Sequence, residues 1–338
     1  MQGKKITIKD IAKIAGVGVG TISRVLNQDP HVSEETRRKV LQIIEELNYT
    51  PHYAARSLPK GKTYLIGIVA PIFTRPFFFE VIRGISSVLS DTQYDIVLFN
   101  LANDESRNRF FKILPIKGKV DGLIIISLRL LDKEAKALLN LGIPTVLVDS
   151  YHQDFYSISV DNVLGGFIAT EYLIELGHKE IFHVNEPLEN PPFGFAVGSL
   201  RLEGYKKALN LYNLPFIENN IIYTSTTKEG GRKAGQLILE RGKIPSAIFA
   251  ISDLQAIGIL DYFKEKNVKL PEDFSIIGYD DLEIAQYLDL TTVSQPIFQM
   301  GQLSALSLLD ILRGKNLETK SVILQPQLKI RGSCKPKK

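Results

Sequence analysis

Three aspartates close apolar runs of this sequence: Asp149 ends PTVLVD, Asp253 follows AIFAIS and Asp280 ends SIIGYD. A carboxylate just past a strand-like run stands where a cleft needs an acceptor, and Asp253 and Asp280 suit sugar hydroxyls. Arg201, in SLRLEGY, offers donors fixed in a fork that matches paired hydroxyls or a carboxylate. An aspartate after a strand also often caps the following helix, and Asp253 fits that role as well as ligand contact. Catalytic chemistry is not spelled out. The histidines His31, His52, His152, His178 and His183 show no metal-ligand spacing, and no serine sits in a G-x-S-x-G elbow. Gly16, Gly18 and Gly20 fail the dinucleotide pattern, because Thr21 and Ser23 occupy the possible third positions and no strand precedes them. No enzyme activity, cofactor or metal is expected.

The elements that would position a binding function begin near the amino terminus, in Ile6 to Asn27. Ile8, Ile11, Ala12 and Ala15 recur at helical spacing, and Thr7 with Asp10 forms a capping-box start. Gly16, Val17 and Gly18 interrupt this helix. A second follows in which Ile22, Val25 and Leu26 face inward while Val19, Gly20, Ser23, Arg24 and Asn27 face out. Such a helix–turn–helix sets its second helix in the DNA major groove, although a plain helical core piece would share the pattern. A third helix starts at Ser33, with Glu34 and Glu35 in its first turn and Val40, Ile43, Ile44 and Leu47 along its inner stripe. Three short helices in about fifty residues make a feasible headpiece.

Charge supports this reading. Residues 1–62 hold 11 basic and 6 acidic side chains, a net +5, which leaves −1 for the remainder of a +4 chain. Phosphate backbones attract such a head and not such a body. At 338 residues the chain needs two or three domains. The single cysteine, Cys334, excludes an internal disulfide framework and fits a reducing compartment. The first residues lack an apolar signal segment and no run approaches a membrane span, so a cytoplasmic protein is expected.

From Tyr64 the texture changes. YLIGIVA, YDIVLFN, DGLIIIS and PTVLVD read as strands, separated by helical stretches at Pro76 to Asp91, Glu105 to Leu114 and Asp132 to Leu141. A second series, EIFHV, NIIYT, AIFAI and FSIIGYD, begins after a crossover near Asp161. Strands alternating with helices predict βαβ units, hence an α/β core of two doubly wound parallel-sheet lobes behind the small all-α head.

The runs TIKDIAKIAGV, TISRVLN, VSEETRRKVLQIIEELNY and TPHYAARSL, from Ile6 to Leu58, closely resemble the DNA-binding headpiece and hinge of the lactose-repressor (LacI/GalR) family of bacterial transcription regulators. LTTVSQP at Leu290 to Pro296 and GYDD at Gly278 to Asp281 resemble later signatures of the same family, so the likeness covers nearly all of the chain. It implies a headpiece at 1–49, a hinge helix and linker at 50–62, and a periplasmic-binding-protein-like core at 63–338. Within that core the first lobe would take 63–161 with 293–322, and the second 162–290 with 323–333. The implied DNA contacts are Thr7, Val17, Val19, Thr21, Ser23, Arg24, Asn27, His52, Arg56 and Leu58. By that likeness Leu58 wedges into the minor groove when two hinges meet over DNA. The implied effector contacts are Phe77, Asp149, Asn190, Arg201, Asp253, Asp280 and Gln295.

Several positions depart from the family pattern. Gly18 replaces a capping serine and Gly20 stands at a base-reading position, which leaves direct readout to Arg24, suited to guanine, and Val19, suited to a thymine methyl. Pro59 disfavours helical geometry at Leu58. Ile72, Arg75 and Ser252 replace the usual Asp, Asn and Asn, and the long segment Glu186 to Ser199 brings Asn190, Phe193 and Phe195 near the cleft. Phe78 and Phe79 read as core. The resemblance implies a repressor acting as a homodimer on a pseudo-palindromic operator. Its effector would be a sugar or sugar phosphate, with a purine or nucleoside as the alternative. Whether effector releases or promotes DNA binding stays open, and KIRGSCKPKK shows no heptad repeat for tetramers. A transport or chemosensory binding protein shares the core but not the basic head.

Overall fold

The computed structural model describes residues 6–26, 29–47, 62–112, 119–188, 197–317 and 320–337. Two compact units emerge, one of residues 1–65 with 115–121 and one of residues 66–114 with 122–338. Asn27, His52, Arg56, Leu58, Pro59, Asn190, Phe193 and Phe195 lie outside the described residues.

In the first unit, α1 (Ile8–Ala15), α2 (Val19–Leu26) and α3 (Glu34–Glu46) form where the periodicity predicts. The Asp10 carboxylate accepts from the Thr7 amide at 2.8 Å and the Thr7 hydroxyl at 2.6 Å. Gly16 ends α1 at φ 68°, a left-handed conformation that costs glycine nothing. The Ser33 hydroxyl accepts from the Thr36 amide at 3.3 Å and caps α3. Ile11, Ala12, Ala15, Ile22, Val25 and Val40 are buried together, with Val17, Ile43, Ile44 and Leu47 packed against them. Each large aliphatic removed from water there contributes about 1.5–3 kcal/mol. So small a head depends on all of them.

The second unit holds two six-stranded sheets. The first runs β11-β5-β4-β3-β1-β2, from β1 (Leu65–Ala70), β2 (Asp95–Asn100), β3 (Gly122–Ile126), β4 (Thr145–Val148), β5 (Tyr156–Val160) and β11 (Ser321–Leu324). The second runs β12-β10-β9-β8-β6-β7, from β6 (Ile181–Asn185), β7 (Ile221–Tyr223), β8 (Ala247–Ala250), β9 (Ser275–Asp280), β10 (Thr291–Ser294) and β12 (Gln327–Lys329). Parallel pairing dominates both, and β12 runs antiparallel to β10. The central strands β3 and β4 are buried along their whole length, which is why they read as unbroken apolar runs.

Two lobe boundaries shift from expectation. Val293 and Ser294 belong to the second sheet, since β10 pairs with β9 through Val293 opposite Tyr279 and Ser294 opposite Asp280. Ile323 and Leu324 belong to the first sheet, opposite Ser159 and Val160 of β5. In each case strand pairing carries the chain two residues further before it crosses.

Helices cover the sheets: α4 (Pro76–Leu89), α5 (Asp104–Lys112), α6 (Asp132–Leu141), α7 (Asn162–Glu175), α8 (Val197–Leu211), α9 (Lys228–Glu240), α10 (Asp253–Glu265), α11 (Glu283–Tyr287) and α12 (Ile297–Leu312). Three pairs cross through reciprocal glycines. Gly84 of α4 abuts the Phe298 carbonyl and Gly301 of α12 that of Val81; Gly166 and Gly204 join α7 to α8, and Gly231 and Gly258 join α9 to α10. A methyl group at any of these six would sit 2.0–2.1 Å from a carbonyl oxygen of the partner helix. Only a residue without a side chain permits that approach.

Candidate functional site

The two sheets point the carboxyl ends of several strands at one cleft of about 150 Å³, which Ile72, Phe77, Ser127, Asp149, Arg201 and Asp280 help to line. Open α/β sheets bind ligands at this edge. Ser127, Asp149 and Asp280 each leave a strand at positive φ, 49°, 53° and 118°. For side chains other than glycine such geometry is costly, and at all three positions it occurs where the chain meets the cleft.

Asp149 follows β4 and accepts a hydrogen bond from the Ser127 hydroxyl at 2.7 Å. Burial pushes its carboxyl up to about 7, although the Ser127 bond and the charge of Arg201 act in the opposite direction. Asp280 ends β9 and accepts from Gln295 Nε2 at 2.7 Å. Burial raises it to about 6, against the nearby positive charge of Arg201, the Gln295 bond and the charge of Arg75. Among the described residues each carboxylate has one side-chain donor on it, and each lines the cleft, where hydroxyl donors could complete it.

Arg201 projects from α8. Its Nε donates to Asn162 Oδ1 at 2.9 Å, Nη1 donates to the Ile251 carbonyl, and the guanidinium carbon stands 3.5 Å from the centroid of the Tyr279 ring. Asn162 is itself fixed, its Nδ2 donating to the Val160 carbonyl at 3.2 Å. Gly165 allows Tyr279 this position, since a methyl group there would lie 2.0 Å from the Tyr279 hydroxyl. The arginine is held in one orientation before any ligand arrives, which lowers the entropy lost on binding.

Phe77, early in α4, lines the cleft edge-on to Phe78 with ring centroids 5.5 Å apart. Phe78 is buried and also lines the cleft, whereas Phe79, expected in the core, is 61% exposed. Asp253 is corrected as a ligand contact. Its carboxylate is fully buried and accepts from the Thr292 hydroxyl at 2.6 Å and the Leu282 amide at 2.8 Å. It ties β10 and the loop after β9 to the start of α10 and does not line the cleft. Burial, then the charge of Asp280, raises its carboxyl above the usual range. Ser252 supplies the helix cap instead, accepting from the Gln255 amide at 3.2 Å.

Ser127, Glu186, Val197, Thr226 and Leu254 line the cleft without having been singled out in the sequence. Reading the first residue past every strand would have found Ser127 and Glu186. Thr226 carries no such signal.

On the first unit, Thr7, Val19 and Arg24 are exposed and Thr21 and Ser23 half-buried. Val17 is also half-buried and packs against the headpiece core, so part of its side chain is structural. Nothing lies within 4 Å of a methyl group built on Gly18 or Gly20, leaving the exposed edge of α2 shallow.

A basic helix–turn–helix head joined to a two-lobed core with a polar, aromatic-edged cleft defines a ligand-responsive DNA-binding regulator. Residues 7–52 match the family described as "Bacterial regulatory proteins, lacI family", and residues 170–334 match a periplasmic binding protein-like domain. The ribose operon repressor of Haemophilus influenzae is 33% identical across 97% of this chain and 98% of its own length. The lac repressor dimer bound to operator and the anti-inducer ONPF superposes with a TM-score of 0.81 at 28% identity, covering 98% of this chain and 99% of that one. A ribose-bound LacI-family regulator from Enterococcus faecium gives 0.71 at 31% identity, covering 81% of this chain and all of that one. This chain belongs to the LacI family of bacterial transcriptional regulators.

Proposed function

We propose that this regulator is a repressor that binds a pseudo-palindromic operator as a homodimer and is controlled by a monosaccharide held between its two lobes. Residues 1–49 would be the DNA-binding headpiece, 50–62 the hinge and linker, and 63–338 the effector core. Thr7, Val19, Thr21, Ser23 and Arg24 would meet DNA, with Arg24 carrying base readout. Asp149, Asp280, Arg201, Gln295 and Phe77 would meet the effector. The observation that carries the sugar reading is the pairing of Asp149 and Asp280 with a fixed Arg201 and the ring of Phe77 about a single cleft. Vicinal hydroxyls need both acceptors and a forked donor, and an apolar ring face needs an aromatic edge. A cavity of about 150 Å³ elsewhere accommodates one benzene-sized ring, which fits a single sugar. The ribose named for the Haemophilus and Enterococcus relatives points to a pentose.

Control follows from differential affinity: an effector that favours one arrangement of the lobes shifts the population that holds DNA. Binding alone accounts for this activity, and no catalytic step is invoked. A DNA-bound regulator works in the cytoplasm, and among the described residues no helix is long and apolar enough to cross a membrane. The experiment is a melting-temperature screen of the intact protein against pentoses, hexoses, their phosphates and purine nucleosides. A ligand at a hundred times its Kd adds about 2.7 kcal/mol of stability. A rise with one sugar supports the reading; a rise confined to a nucleoside replaces it.

A further inference from the structure

The residue at the start of α4 breaks the pattern expected there. Arg75 is the N-cap of α4, with Pro76 fixing the first turn after it. Its Nη1 donates to the Thr226 hydroxyl at 2.9 Å. Arg75 follows β1 in the first lobe, and Thr226 lies between β7 and α9 in the second. Both line the cleft and both are half-buried, so the bond spans it.

Each end of this bond is mounted on a held element. Thr227 caps α9 by accepting from the Gly230 amide at 3.0 Å, and its hydroxyl lies 3.1 Å from that of Ser225. Gln255 Nε2 donates to the Thr224 carbonyl at 3.3 Å and the Ser225 carbonyl at 3.2 Å, which fastens the turn that carries Thr226 to α10. On the other side, α4 is locked against α12 through Gly84 and Gly301. The lobes otherwise have separate apolar cores, one built on β1, β3, β4 and β5 and the others on β6, β8, β9 and β10. A bond between two separately cored bodies acts on their relative position.

We propose that Arg75 and Thr226 form a latch that holds the cleft closed, making Arg75 a positioning residue that retains the effector through a bond the effector does not itself make. This rests on the cleft being the effector site. A guanidinium suits the task, because it stays charged at every working pH and reaches across on a long side chain. Hydrogen bonds to charged groups are the stronger ones, so loss of the latch weakens effector binding by a factor on the order of ten.

The test uses the intact protein in four forms: wild type, Arg75→Ala, Thr226→Val and the double variant. Spin labels on exposed Lys136 of the first lobe and Lys233 of the second report lobe separation without ligand. The latch predicts one short distance in the wild type and a broader, longer distribution in all three variants. Identical distributions in the four proteins would overturn it. Titration with D-ribose is the second arm. Both single variants should weaken binding by a similar factor, with the double variant no weaker than either. Full affinity in Thr226→Val with loss in Arg75→Ala would make Arg75 a direct ligand contact and overturn the latch. Should D-ribose bind no form of the protein, ribose is ruled out as the effector while the ligand-free distances still decide the latch.

Discussion

The Arg201 guanidinium carbon stands over the Tyr279 ring, 3.5 Å from its centroid, and this contact helps to fix the forked donor of the cleft. Burial of Tyr279 pushes its hydroxyl up to about 12, so the ring stays neutral beneath the cation. Arg201→Lys keeps the charge and loses the fork. We expect it to weaken effector binding by about 1.5–3 kcal/mol while operator affinity without effector stays within about twofold. Calorimetric titration with the ligand found in the melting screen, beside a gel shift, checks both. Unchanged effector affinity would remove Arg201 from the site.

With Asp149 and Asp280 as the proposed effector contacts, effector binding should depend on pH. Their carboxyls are raised to about 7 and about 6 by burial, so each is largely protonated at pH 5 and ionised by pH 8. Ionised carboxylates accept from sugar hydroxyls better than the neutral acids, so affinity should rise from pH 5 to pH 8 and then level. The empty core behaves in the opposite sense. Folded values above the usual 3.8 mean that stability from these two groups is present below about pH 4 and is lost as pH climbs through 6 and 7. The melting temperature of Asp149→Asn should therefore gain on that of the wild type across pH 4 to 7. A constant difference would contradict the assignment.

His183 acts in the other direction. It is fully buried in β6, stacked on Tyr205 with centroids 5.0 Å apart and close to Phe249 at 4.8 Å. Burial pushes its imidazole down from 6.5 to about 3. A folded value below the unfolded one means the folded state takes up its proton last, so stability is lost as pH falls from about 6.5 toward 3. The slope is about 1.4 kcal/mol per pH unit. His183→Phe should remove that slope, as measured by denaturant melts at pH 7 and pH 5. Equal pH sensitivity in both proteins would show the loss to lie elsewhere.

Gly20 sits inside α2 with open space around it. Gly20→Ala should stabilise that helix by about 0.5–1 kcal/mol, because alanine loses less backbone freedom on folding. Slower hydrogen exchange of the α2 amides in the full-length protein would show it. Unchanged exchange would mean that packing on α1 and α3 sets the helix stability.

Much of this architecture was legible because it depends on local chemistry. Thr7, Ser33 and Gly16 mark helix ends by side-chain bonding or left-handed geometry, and unbroken apolar runs mark strands buried on both faces. The strand β5, YSISV, carries no clear strand pattern because its two serines dilute the apolar run, although Ser157 is buried. The fate of Asp253 was not legible at all. It depends on Thr292, 39 positions away, and on the close approach of Gly278. The Arg75 bond to Thr226 spans 151 positions and likewise belongs to the fold rather than to any local pattern. Residues that end strands could be found by eye; partners across the cleft could not.

The central claim is that one chain couples a DNA-reading head to a ligand-reading core. Its most direct test is fluorescence anisotropy of the intact protein on duplexes that it has itself enriched from a random pool. Titrations would run at roughly 50 and 200 mM salt, with and without the ligand identified by melting. The account predicts tight binding that weakens steeply as salt rises and an operator affinity that changes several-fold on adding the ligand. Failure to enrich any duplex, or an affinity indifferent to a ligand that demonstrably binds the core, would contradict it.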